Sequence, residues 1–129
     1  MADVNRGNRP LSPFMLGRYY RLQLTSLTSI LTRITGAGLL VGALLVVWWL
    51  IAAAAGPASF ALADGVITSW FGKIVMLGSI WALWYHTLAG VRHLIWDMGY
   101  MLDIRDAENL GRAVIAGSVV LTVMTVLVL

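Results

Sequence analysis

Three stretches of the chain run without Asp, Glu, Lys or Arg: residues 34–55, 74–91 and 113–129. At about 1.5 Å per residue, each run with its flanks can cross a hydrocarbon core of about 30 Å. The pattern therefore predicts an all-α membrane protein with three transmembrane helices, over about 28–55, 66–96 and 109–129. Residues 1–20 read differently: they are polar, and Gly7, Pro10, Pro13 and Gly17 break any helix, so an extended arm along the membrane surface is expected. From Tyr20 the period changes. Tyr20, Leu24, Leu27 and Leu31 recur at helical spacing while Thr25, Thr28, Ser29, Thr32, Arg33 and Gly36 fall on another side, which predicts a two-faced entry helix. Little chain is left over, so residues 1–129 form a single membrane-anchor domain.

Within the first span, Gly38-Leu-Leu-Val-Gly42 has the small-xxx-small spacing that lets another helix approach closely. Trp48 and Trp49 fit an interfacial belt, and Gly56-Pro57 ends the helix in a short, nearly uncharged turn. On the second span, Ser79, Ala82, Leu83, His86, Gly90, His93 and Asp97 fall on one stripe, expected to face protein rather than lipid. Arg92 lies on a different face, and Trp81, Trp84 and Trp96 read as belt or packing residues. Residues 97–111, with Asp103, Arg105, Asp106 and Glu108, read as a solvated connection, and the third span as a packing helix.

Composition supports the membrane assignment, with 60% hydrophobic and 12% charged residues and a mean hydropathy of +0.84, against about 25% charged in soluble domains. The net charge of +3 is unevenly placed. Arg6, Arg9, Arg18, Arg21 and Arg33 precede the first apolar run, Arg92, Arg105 and Arg112 surround the second connection, and residues 56–65 hold no Lys or Arg. The positive-inside bias then puts the N-terminus and second connection in the cytoplasm and the C-terminus on the other side, with Lys73 snorkelling at the far face. The arginines are scattered and lack an aromatic platform, which argues against nucleic acid and for membrane lipids as neighbours. With no cysteine in the chain, a disulfide framework or thiolate-held metal is ruled out, so a redox metal here must use histidine or a partner.

His86 is the residue to explain, because an ionisable group in hydrocarbon is expensive enough to imply a role. Three readings compete: a histidine bonded to a neighbouring helix, a proton relay, or an axial haem ligand. The relay lacks an acidic residue deeper than Asp97. The haem reading carries a constraint, since six-coordinate iron needs ligands on opposite faces of the ring. His86 and His93 lie about 10 Å apart along one helix and cannot be that pair, so another chain, or another copy of this one, would supply the second ligand. Gly90, one turn beyond His86, leaves room for a flat group, and Arg33 and His93 could meet its propionates. Ser29 and Arg33, four apart, put a hydroxyl and a permanent cation on one helical face at the membrane edge. That pair fits either a headgroup anchor or the lining of a pocket.

Three motifs, Arg9-Pro-Leu-Ser-Pro13, Ser29-Ile-Leu-Thr-Arg33-Ile-Thr-Gly36 and His86-Thr-Leu-Ala-Gly90-Val-Arg-His93 followed by Asp97, stand in this order around the three spans. Together they resemble the cytochrome b556 membrane-anchor subunits of succinate dehydrogenase. The resemblance implies one of two small anchors in a multi-subunit helix bundle in a bacterial inner membrane. Its partners would be a flavoprotein, an iron-sulfur subunit and a second anchor, and electrons would pass from succinate to ubiquinone. It implies that His86 is the axial ligand of haem b, shared with the second anchor, and that Ser29 and Arg33 belong to the quinone site. Arg33 and His93 would lie near the haem propionates, and Asp97 in the surroundings of the quinone. Such proteins commonly carry His before the arginine, whereas this chain has Thr32, so any propionate contact or proton delivery by that imidazole must be lost or taken over by other groups. Rival readings are an anchor of a fumarate reductase-type complex and a non-catalytic scaffold.

Overall fold

A computed structural model describes residues 22–128. The expected arm, Tyr20 and the Arg9-to-Pro13 motif lie outside the described residues. All regular structure among those described is α-helical: α1 (Leu24–Ala55), α2 (Pro57–Thr68), α3 (Trp70–Asp97) and α4 (Ile104–Val128). Of these, α1, α3 and α4 are long and apolar enough to cross a membrane.

The connection after the first span is not a bare turn. Gly56, at φ 125°, allows the chain to turn sharply, and Pro57 starts α2 at a position where its missing N–H is harmless. Helix α2 folds back so that Phe60 meets the Trp49 ring at 5.4 Å and Asp64 Oδ1 accepts a bond from Trp49 Nε1 at 3.4 Å. Ser69 then separates α2 from α3. Its hydroxyl donates to the Val66 carbonyl at 2.6 Å and accepts from the Gly72 N–H at 3.1 Å, so one side chain closes one helix and caps the next. The second spanning helix accordingly starts at Trp70, not near residue 66.

At the other end α3 finishes in a left-handed Gly99 (φ 81°), with Gly99 N–H bonded to Trp96 O and Tyr100 N–H to Ile95 O, the paired bonds that close a helix end. Trp96 Nε1 reaches over to the Met101 carbonyl at 3.2 Å. Helix α4 begins at Ile104, earlier than the expected 109, because residues read as a solvated loop lie in its first turns. Asp106 is in the first turn, where a negative charge favours the helix dipole.

The three long helices meet along small and polar seams: Thr28, Thr35 and Gly42 on α1; Ala82, Tyr85, Ala89 and Arg92 on α3; Gly111, Val114, Ser118 and Thr122 on α4. Small residues permit close approach where lipid offers no hydrophobic drive between helices. A Cβ on Gly42 would lie 2.9 Å from Ser79 Oγ of α3. Gly38, by contrast, has nothing within 4 Å, so the expected Gly38/Gly42 pair does not serve one neighbour inside the chain. The hydroxyls of Thr28, Thr35, Ser118 and Thr122 donate to carbonyls three or four residues back, which lets them be buried.

Candidate functional site

His86 emerges from α3 half-buried, with its ring laid against Gly36 of α1; a Cβ there would lie 3.0 Å from His86 Cε1. Its Nδ1 is 3.2 Å from the Thr32 carbonyl and 3.4 Å from Thr35 Oγ1. The carbonyl can only accept, and the Thr35 hydroxyl already donates to Leu31 O at 2.8 Å. Both neighbours therefore call for a proton on Nδ1, which in a neutral imidazole leaves the Nε2 lone pair unprotonated. Orientation of one ring nitrogen by a carbonyl is the usual support for a histidine whose other nitrogen binds a metal. At position 32 the group that touches His86 is the main-chain oxygen, while the Thr32 hydroxyl donates to Thr28 O at 2.8 Å.

Ser29, Arg33 and Gly36 stand at i, i+4 and i+7 and so share one side of α1. Ser29 and Arg33 turn outward and make no hydrogen bond or ion pair among the described residues. On α3, Gly90, His93 and Asp97 also turn outward, and a Cβ added at Gly90 would meet nothing within 4 Å. His93 sits edge-on to Trp96 with centroids 5.3 Å apart, and Asp97 is the last residue of the helix. Because α1 and α3 run antiparallel, all these polar groups lie toward the end where α1 begins and α3 finishes, flanking His86 on the outer surface of the pair. The structure thus brings the sequence-predicted residues toward one end of the α1–α3 pair, with no direct bonds linking them among the described residues.

The α3 stripe divides. Ser79, Ala82 and His86 pack toward α1, but Leu83, Gly90, His93 and Asp97 face out of the chain. The chain's own interior takes the adjacent stripe, Ala82, Tyr85, Ala89 and Arg92, because α4 covers that side. Tyr85, fully buried, donates to the Thr28 carbonyl at 3.0 Å and forms the core with Ala89 and Val114. Sequence reasoning missed Tyr85 and Arg92 as interior residues, although their spacing to Ala89 at i, i+4, i+7 is the available signal.

Among the described residues no three His, Cys, Asp or Glu side chains cluster as a metal cage. An oriented imidazole with a free Nε2, beside a glycine that leaves open space, fits the axial side of a flat macrocycle.

Residues 5–125 match the succinate dehydrogenase/fumarate reductase transmembrane subunit family. The chain is 58% identical to the succinate dehydrogenase cytochrome b556 subunit of Paracoccus denitrificans over 99% of its own length and 97% of that protein. It is 38% identical to the cytochrome b556 subunit of Rickettsia conorii over 90% of this chain and 89% of the relative. A cytochrome b560 subunit from Chondrus crispus is 35% identical over 76% of this chain and 78% of its own. With three membrane-spanning helices and near full-length matches, this chain belongs to the succinate dehydrogenase/fumarate reductase transmembrane subunit family.

Proposed function

We propose that this chain is the haem b- and quinone-binding anchor of a succinate:quinone oxidoreductase, not catalytic alone. The observation that carries the reading is the half-buried His86 ring, bonded through Nδ1 to the Thr32 carbonyl and with no hydrogen bond at Nε2 among the described residues. His86 would hold the haem from one side and a histidine of a second anchor from the other. When bound, the haem supplies a one-electron redox group. Arg33 and His93, near the same end of the bundle, would receive its propionates by charge-assisted hydrogen bonds.

Ser29 and Arg33 bind the quinone in this reading. A carbonyl oxygen of the quinone becomes anionic as electrons arrive, and a fixed guanidinium with a hydroxyl one turn away stabilises that charge in a water-poor site. Asp97 lies at the rim of that region, where a carboxylate can accept a proton from water and pass it on. The flavoprotein and iron-sulfur subunits would dock at this end, which the arginine distribution puts on the cytoplasmic side. A fumarate reductase-type anchor is the second reading, because the matched family includes both directions of the reaction.

The test is purification of the intact complex through a tag on this chain, followed by reduced-minus-oxidised spectra. The expected result is a b-type spectrum that is lost or displaced in His86→Ala, with three further subunits on the gel. A haem-free wild-type complex with full quinone activity would favour a scaffold instead.

A further inference from the structure

Arg92 plays no part in the site described above, yet its surroundings are the least expected in the molecule. It is only 2% exposed, and its Nε and Nη1 are buried with no hydrogen-bond partner. Its guanidinium carbon lies 4.6 Å over the Trp96 ring. On the other side, Nη1 comes against α4 at Gly111, where a Cβ would be 3.6 Å away, and the same point is closed by Thr28 and Leu24 of α1. The one ion pair among the described residues, Arg112 with Glu108 at 3.5 Å, lies at the surface. No carboxylate of the described residues answers Arg92.

A guanidinium keeps its charge inside proteins, and a buried charge without a counter-ion is costly to maintain. Its field is correspondingly little screened. We propose that Arg92 is an electrostatic tuning residue, a fixed internal cation that raises the electron affinity of haem held at His86. The inference rests on the haem reading given above. Six residues separate the two side chains on one helix, about 9 Å along the axis, and their different faces bring the separation to on the order of 12 Å. The ferric haem core carries one more positive charge than the ferrous core, so a nearby cation disfavours the oxidised form. At about 12 Å and an effective dielectric of about 20, the effect is about tenfold in the reduced-to-oxidised ratio. Arg33 cannot do the same, since it faces outward, where an incoming propionate or quinone can pair with it. Arg92 lies between α1, α4 and Trp96 and is only 2% exposed, so groups that bind beside Arg33 on the outer side of α1 do not pair with it.

The experiment is a potentiometric titration of the haem in the purified complex, read by its absorbance, with haem content measured on the same samples. Arg92→Gln should lower the midpoint by about 59 mV, the one-electron equivalent of tenfold, while Arg92→Lys, which keeps the charge, should stay near wild type. Leu24→Glu offers an independent route, because it sets a carboxylate on α1 beside the point of α4 that Nη1 also faces, without removing the arginine, and it should lower the midpoint in the same direction, with Leu24→Gln unshifted. A full haem complement with an unmoved potential in either Arg92→Gln or Leu24→Glu overturns the proposal, as does an equal drop in Arg92→Lys. A wild-type complex with no haem would instead overturn the haem reading, before Arg92 comes into question.

Discussion

His86 is held by contacts that differ in how easily they can be altered. Gly36 is the alterable one. Adding a methyl group there pushes directly on the imidazole, 3.0 Å from Cε1, whereas the same change at Gly38 meets nothing within 4 Å. Gly36→Ala should therefore lower haem content or displace the haem spectrum of the purified complex, and Gly38→Ala should leave both unchanged while gaining up to about 1 kcal/mol of helix propensity. A spectrum insensitive to Gly36→Ala would mean that this packing does not set the ring. At Arg33 the role is charge, not shape. Arg33→Leu should cut quinone reduction by about 10²-fold, the scale of losing one stabilising donor, and leave succinate oxidation by an artificial acceptor intact. Parallel loss of both activities would point to failed assembly. His86 and Arg33 were legible in the sequence because ionisable groups stand out beside an apolar run. Arg92 and Tyr85 were not, since a helical wheel shows which residues share a face but not which face the neighbouring helices cover.

At the scale of elements, the three long helices followed from runs free of charge, whose lengths hydrocarbon dictates. Helix α2 did not, because Gly56-Pro57 ends one helix and opens another, and only the first half of that meaning was read. The start of α4 was hidden for a related reason: Asp106 and Glu108 look like loop residues but suit the first turns of a helix. The α2–α3 junction carries its own prediction. Gly72 is pressed against the Val66 and Ile67 carbonyls, leaving no space for a Cβ, and Ser69 supplies the only side-chain cap of α3. Ser69→Ala should cost about 1 kcal/mol and Gly72→Ala about 1–3 kcal/mol, the range of overpacking. Thermal denaturation of the detergent-solubilised complex would rank them, and a Gly72→Ala as stable as wild type would count against this junction as drawn.

For the whole molecule, the chain presents Ser29, Arg33, His93 and Asp97 outward, where lipid would leave them unpaired. Expressed without its partners, the protein should be degraded or aggregate, and co-expression with a second anchor should restore it, as blotting of membrane fractions would reveal. Topology can be read directly, since the absence of cysteine gives a clean background. Ser59→Cys in α2 should react with an impermeant thiol reagent added to intact cells, and Asp103→Cys only after the membrane is opened; the reverse pattern would invert the orientation.

Thr32 grips the imidazole by its backbone oxygen, and that atom is supplied by every amino acid. Substitution at position 32 is thereby decoupled from the posture of the histidine, so the side chain there is free to change in size and polarity without rebuilding what lies across from it.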